Sequence, residues 1–324
     1  LAVDGWPRKV GRVRSATRLA LTLRALRPQI IHAHYLRGLA WGLPWGRVHP
    51  TVVTPWGSDV LEEQGAFRDV YSRSLTRSVL THADLVTVHS GYMEERVKPL
   101  VKARTPLVRI GWGVDLHRFR PGLPFSALAG RWKIEPWHKV IVSPRLAQPL
   151  YRHEVVIQAM PQVLARVPET ILVLSEQFAD PAYVSSLKTL ADDLGVRAQV
   201  RFVGAIPYED MPLWLNRAQA VVMIPTSDGM PNTLLETMAC GGVPILSRLP
   251  QYRDAVTDGR EGFLIDPQPH TLADVLIRVL GDEDLRARMG VINRDKACRI
   301  ADQDREMAMM EVLYHRLAAA SSWC

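Results

Sequence analysis

The sequence predicts an α/β protein built on two parallel sheets, and three observations carry that expectation. Its 324 residues exceed what one ordinary core needs and suit two α/β domains. Short runs of Val, Ile and Leu alternate with amphipathic helical stretches along most of the chain, as strands buried on both faces require. A stretch rich in Gly, Pro and Trp, from Gly111 to His138, interrupts the alternation and reads as a domain linker.

In the first half, strands are expected at Gln29–His32, Thr51–Thr54, Leu85–His89 and Leu107–Ile110, with helices near Arg12–Leu26, Phe67–Leu80 and Tyr92–Val101. The opening is unusual, because a doubly wound domain normally starts with an apolar strand and a glycine-rich turn, and Leu1 leads directly into a basic helical segment. The first domain, residues 1–121, is therefore expected to be incomplete. After the linker at residues 122–138 the pattern is regular. Strands fit Lys139–Ser143, Ile171–Leu174, Val200–Val203, Ala220–Ile224, Val243–Leu246 and Gly262–Ile265. Helices fit His153–Arg166, Pro181–Leu194, Tyr208–Asn216, Asn232–Cys240 and Leu249–Val256, and three more fill the tail from Thr271 to Leu317. Residues 139–290 thus read as a Rossmann-like domain, with residues 291–324 as C-terminal helices expected to cross back to the first domain.

Composition narrows the partners. No apolar run approaches the roughly 20 residues of a membrane helix. Cys240, Cys298 and Cys324 share no metal-type spacing and read as free thiols of a reducing cytoplasm. Residues 1–121 carry 19 Lys and Arg against 9 Asp and Glu, a net +10, whereas the remainder carries −3. A basic first half points to an anionic partner such as a membrane surface or a phosphorylated acceptor, or to nothing more than solvated helix faces. The helix around Arg8–Arg27, with Leu19, Leu21, Leu23 and Leu26 among its arginines, suits either an interfacial contact or ordinary packing on the sheet.

The densest motif runs Asp228-Gly229-Met230-Pro231-Asn232-Thr233-Leu234-Leu235-Glu236, followed by Met238-Ala239-Cys240-Gly241-Gly242-Val243-Pro244. It follows a buried strand and opens a helix at Pro231 and Asn232, so the free N–H groups of the first turn, at Asn232 and Thr233, and the positive helix end suit a diphosphate. Glu236, one turn in, suits vicinal hydroxyls, and Asp228 a second ring. Two carboxylates eight apart, with Gly-x-Pro between and Met-Ala-x-Gly-x-x-Pro behind, resemble the E-x7-E signature of glycosyltransferase family 4. The resemblance implies the GT-B fold, two Rossmann-like domains facing across a cleft, and transfer of a sugar from a nucleotide diphosphate sugar with retention of configuration. It assigns the ribose to Glu236 and the donor sugar to Asp228, where Asp replaces the usual Glu.

Other segments are similar to the same family in order. Ser143-Pro144-Arg145 resembles the strand-end Gly-Arg that binds the donor diphosphate. The lysine that normally follows is absent, and Arg152 is the expected substitute. Phe202-Val203-Gly204 resembles the loop flanking the nucleotide base. Gly113-Val114-Asp115 with Phe119 and Pro121 resembles the interdomain segment, with Trp112 replacing the usual Asn. Asp258-Gly259 with Glu261-Gly262 resembles the turn before the last strand. In the first half, Ile30-Ile31-His32-Ala33-His34 and Trp56-Gly57-Ser58-Asp59 resemble strand-end loops of the acceptor side. The resemblance assigns a histidine to the donor sugar, and His34 is the expected one, with His32 packed at the strand end.

The expected chemistry is metal-independent and needs no cofactor: Arg145, Arg152 and the helix N-terminus stabilise the leaving diphosphate. UDP- or GDP-sugars are the expected donors, and a glycan or lipid-linked molecule the acceptor. Nucleic acid is not an expected partner. The protein is expected in the cytoplasm, with peripheral contact to the inner face of the membrane. A degenerate, non-catalytic nucleotide-sugar-binding protein and a GT-B epimerase or phosphorylase stay open as alternatives.

Overall fold

The computed structural model describes residues 8–46, 49–57, 59–61 and 70–321. By its contacts the chain divides into two compact units. The first holds Leu1–Trp112, Asp228–Met230 and Asp304–Cys324, and the second holds Gly113–Ser227 and Pro231–Gln303.

The first unit is built of α1 (Arg8–Leu26), β1 (Ile31–His34), α2 (Leu43–Gly46), β2 (Thr51–Thr54), α3 (Val70–His82), β3 (Leu85–Val88), α4 (Gly91–Val97) and β4 (Leu107–Arg109). Its four described strands are parallel and follow chain order, β1-β2-β3-β4. Val53, Val86 and Val88 face one side, where α1, α3 and α4 supply Ala16, Val79, Leu80, Met93 and Val97. Alternation along the strands turns Val52 and Leu85 to the other side, against Met310, Leu313, Tyr314 and Leu317 of the C-terminal helix. The basic α1 packs as an ordinary surface helix: Ala16, Leu19, Ala20 and Leu23, spaced at i, i+3, i+4 and i+7, meet the core, while Leu21 and Leu26 stay exposed. It lies so close to the turn before α2 that a Cβ on Gly42 would sit 2.1 Å from the Ala16 carbonyl oxygen, which only glycine avoids.

The second unit contains α5 (Ser126–Trp132), β5 (Lys139–Ser143), α6 (His153–Leu164), β6 (Thr170–Leu174), α7 (Pro181–Asp193), β7 (Val200–Phe202), α8 (Met211–Arg217), β8 (Ala220–Met223), α9 (Asn232–Ala239), β9 (Pro244–Ser247), β10 (Phe263–Ile265), α10 (Pro269–Gly281) and α11 (Glu283–Ile300); α12 (Gln303–Ser321) follows. Six parallel strands stand in the order β10-β9-β8-β5-β6-β7. Counted within the unit, this is the 3-2-1-4-5-6 order of the Rossmann fold, reversing direction between β5 and β8. Strands such as Val140–Ser143 and Thr170–Leu174 are wholly buried, because helices cover both faces.

Several expected boundaries shift for physical reasons. β1 runs from Ile31 to His34 rather than from Gln29, since its pairing starts at the Pro50 carbonyl, where proline leaves β2 no earlier N–H to offer. The expected linker contains α5, a seven-residue helix whose single buried side chain, Leu128, leaves no readable period; it closes on Lys133 in the left-handed region (φ 53°). Leu249–Val256 forms only a 3-10 turn, Pro250–Asp254, anchored by the buried Tyr252. The expected helix at Tyr208–Asn216 begins at Met211 instead, after a turn closed on the Pro207 carbonyl, and the helix expected from Phe67 is seen from Val70, with residues 67–69 outside the described residues.

Candidate functional site

In the second unit, ligands of an open parallel sheet are expected outside the carboxyl ends of β5 and β8, where the strand order reverses. The turn after β5 carries Arg145. Its Nη2 donates to the Tyr151 hydroxyl at 3.3 Å, and its guanidinium carbon lies 4.7 Å from the centre of that ring. The expected substitute for the missing lysine, Arg152, is half-buried and left-handed (φ 53°) at the start of α6. The turn itself is held by the buried His153, whose Nε2 lies 3.0 Å from the Leu146 carbonyl and whose Nδ1 lies 3.0 Å from Ser143 Oγ.

After β8, Pro231 caps α9 without any side-chain hydrogen bond, and among the described residues no side chain accepts from the first-turn N–H groups at Asn232 and Thr233. One turn further, Glu236 is buried, and its carboxylate accepts no hydrogen bond from a described residue. Burial drives its pKa up to about 7, and the charge of Arg145 opposes that rise. The exposed Tyr208 lies within the field of Glu236: burial raises its phenol pKa, and Glu236 adds to the rise. Gly204 needs its left-handed backbone (φ 72°), and its N–H donates to Glu176 Oε2 at 3.1 Å. Cys240, beneath this helix, is an inert thiol pushed up to about 12 by burial and by Glu236.

In the first unit the strand ends bring rings together. His32 bonds through Nδ1 to the Tyr314 hydroxyl and through Nε2 to Thr54 Oγ1 at 2.7 Å; burial, then His34, lowers its pKa to about 4. His34 stacks on it at 4.1 Å but is exposed, and neither of its ring nitrogens bonds to a described residue. Trp56 is 42% exposed. Asp59, expected to line the acceptor side, is instead fully buried, accepting from the N–H groups of Leu36 (2.8 Å), Trp56 (2.9 Å) and Gly57 (2.9 Å). Burial raises its pKa and those three bonds resist the rise. It therefore ties the loop after β1 to the loop after β2. Ser58 lies outside the described residues.

Asp228, Gly229 and Met230 group with this first unit. Asp228 Oδ1 accepts the Gly229 N–H at 2.9 Å. A Cβ on Gly229 would meet the Trp56 carbonyl oxygen at 3.0 Å and His89 Nε2 at 3.3 Å, and Met230 N–H donates to that same nitrogen at 3.4 Å. His89, at the end of β3, escaped the sequence reading; its only signal was its place at a strand end beside Ser90-Gly91. Burial holds it neutral, with a pKa near 4. Tyr151 and Tyr208 escaped for the same reason, since no motif marks them. Among the described residues, no three His, Cys, Asp or Glu side chains are grouped to hold a metal.

The model of the family described as "Glycosyl transferases group 1" matches residues 131–296, about half of the chain, and that of "Glycosyltransferase Family 4" matches residues 4–118. The chain belongs to the group 1, family 4 glycosyltransferases. The family assignment gives the chain the GT-B fold class, and solved structures agree with it. A structure of Anabaena Alr3699/HepE in complex with UDP and glucose superposes with a TM-score of 0.78 at 18% identity, covering 94% of this chain and 83% of that one. Among relatives of known activity, the D-inositol 3-phosphate glycosyltransferase of Corynebacterium jeikeium is 28% identical over 90% of this chain and 73% of its own length. The GDP-mannose-dependent monoacylated alpha-(1-6)-phosphatidylinositol monomannoside mannosyltransferase of Corynebacterium glutamicum is 29% identical over 69% of this chain. This chain spans 60% of that second relative.

Proposed function

We propose that this glycosyltransferase moves a sugar from a nucleotide diphosphate sugar to a hydroxyl of a glycan, cyclitol or lipid-linked acceptor, with retention of configuration and without a metal. The observation that carries the reading is Glu236: a buried carboxylate beside Arg145, at the reversal of the sheet, with none of its acceptor positions filled by a described residue. Burying such a group is costly unless a ligand supplies donors. The vicinal hydroxyls of a ribose do so, and their bonds favour the ionised form.

The remaining roles follow from chemistry. Arg145 and the uncapped N-terminus of α9 take the charge that grows on the departing diphosphate. Arg152 is assigned to the same phosphates, on the analogy of the missing lysine alone. Asp228 and His34 are assigned to the donor sugar by family resemblance, and the unbonded nitrogens of His34 suit that role. Donor base is left to experiment, because the relatives divide: one is named for GDP-mannose, and the HepE structure holds UDP. The net +10 of residues 1–121 supports an anionic acceptor or membrane surface. Among the described residues, no helix is long and apolar enough to cross a membrane.

Calorimetric titration of the chain with UDP, GDP and ADP, beside a Glu236→Ala variant, tests the donor site. One nucleotide should bind at micromolar strength, and the variant should lose it by about a hundredfold. A folded wild-type chain that binds none of the three overturns the reading.

A further inference from the structure

At the amino ends of the first unit's strands, the sheet edge opposite to His34, Trp56 and His89, three connections close around a cavity of about 390 Å³. The lead into β2 brings His49. The end of α3 and the turn into β3 bring Thr81, His82 and Asp84. The lead into β4 brings Lys102, Arg104 and Thr105. None of the motifs that carry the family resemblance includes these residues.

The lining holds more positive charge than it neutralises. Among the described residues Asp84 is its single carboxylate, and Asp84 Oδ2 already accepts from His49 Nδ1 at 2.8 Å and from the Thr51 N–H at 2.7 Å. Lys102 and Arg104 make no ion pair with a described residue, whereas Arg109, a few positions on, pairs with Glu94 at 2.9 Å. The rings of His49 and His82 lie 4.3 Å apart, and the Nδ1 bond to Asp84 leaves His49 Nε2 as an acceptor. Thr81 Oγ1 donates to the Ser78 carbonyl at 3.1 Å and Thr105 Oγ1 to the Ala83 carbonyl at 3.3 Å, so both hydroxyl oxygens are left to accept. These bonds, with the Ala83 N–H on the Val79 carbonyl at 3.2 Å, also occupy carbonyls at the end of α3 that would repel an anion.

We propose that this cavity is a second ligand site, which takes a hydroxylated phosphate monoester. Lys102, a compact point charge, and Arg104, a planar fork of donors, hold the phosphate. The oxygens of Thr81 and Thr105 and the Nε2 of His49 accept from hydroxyls of the organic body. That body is required by size, because a bare phosphate would leave most of the cavity to water. The same chemistry belongs to a soluble phosphate ester and to the terminal phosphate of a lipid headgroup. The site does not depend on the donor reading, since it uses the other edge of the sheet and none of the residues assigned to transfer.

Two titrations of the full chain test it. Calorimetry with glycerol 3-phosphate, with UDP and GDP present to fill the donor site, probes the soluble source. Sedimentation with phosphatidylcholine vesicles carrying phosphatidic acid probes the headgroup. One of the two should bind, and a chain with both Lys102→Ala and Arg104→Ala should bind it about tenfold more weakly. Both side chains are exposed and make no ion pair with a described residue, so that variant should keep the wild-type circular dichroism. A control chain with Arg166→Ala and Arg288→Ala, which removes the same charge from exposed positions of the second unit, should bind like wild type. Glycerol 3-phosphate binding that is lost in the first variant upholds the site and names a soluble ester. Binding of the phosphatidic acid vesicles alone, lost in the same way, upholds it and names a headgroup. The proposal is overturned if neither probe binds, if the folded first variant binds like wild type, or if the control chain loses as much, which would reduce the effect to net charge.

Discussion

Each unit buries a carboxylate at its candidate site, and the two are treated in opposite ways. Asp59 of the first unit is saturated: three backbone N–H groups, from two different loops, converge on it. Glu236 of the second receives nothing from a described residue and faces only the charge of Arg145. The first is part of the scaffold, and the second is the group to which the proposed function gives a ligand. The charges nearby divide in the same sense: the first unit's His32 and His89 are held neutral by burial, whereas Glu236 feels the Arg145 guanidinium.

Breaking the comparison should be easiest at its saturated end. Asp59→Ala strips three charge-assisted bonds and leaves three N–H groups in a buried place, so it should lower unfolding stability by roughly 4 kcal/mol in denaturant titration. A loss below roughly 1 kcal/mol would mean the loops do not depend on it.

Titration should separate the units by sign. Glu236, raised from 4.5 to about 7, contributes stability that is whole below pH 4.5 and drains as pH rises through 7. The full effect is roughly 3 kcal/mol, so Glu236→Gln should stabilise the protein at pH 8 and leave it unchanged at pH 4. His89 and His32, lowered from 6.5 to about 4, act in reverse: their share is whole above pH 6.5 and is lost as pH falls through 4. Hydrogen exchange should then show the first unit loosening towards pH 4 and the second towards pH 8. Exchange that responds alike in both units would dissolve the distinction.

The smallest effect concerns backbone strain, which both units place beside their sites. Tyr35, just after His34, and Arg152, just before α6, are left-handed (φ 71° and 53°). Tyr35→Gly and Arg152→Gly should each raise stability by about 1 kcal/mol in thermal unfolding. If either variant is less stable than wild type, its side-chain contacts outweigh the strain.

Legibility in the sequence followed locality. The second sheet could be read because each of its strands is a continuous apolar run buried on both faces, and the Asp228–Glu236 segment because its residues act within nine positions of one another. α5 hid because one buried leucine sets no period. Asp59 was misread as a cleft residue since Trp-Gly-Ser-Asp looks alike whichever way the carboxylate turns, and Leu36, which decides it, stands 23 residues away. His89 and Met230 are separated by 141 positions, a distance over which no spacing rule operates. Tyr151 was not singled out because a search for positive charge ignores the ring that seats one.

The bonds to Asp59 have a bearing on how such a chain can change. All three donors are main-chain groups, so none depends on which side chain residues 36, 56 and 57 carry. The loops are fixed by their backbone, and the faces they present are left open to substitution. A library varied at Trp56 should therefore yield folded proteins far more often than one varied at Asp59, so position 56 can change its chemistry while the loop keeps its shape.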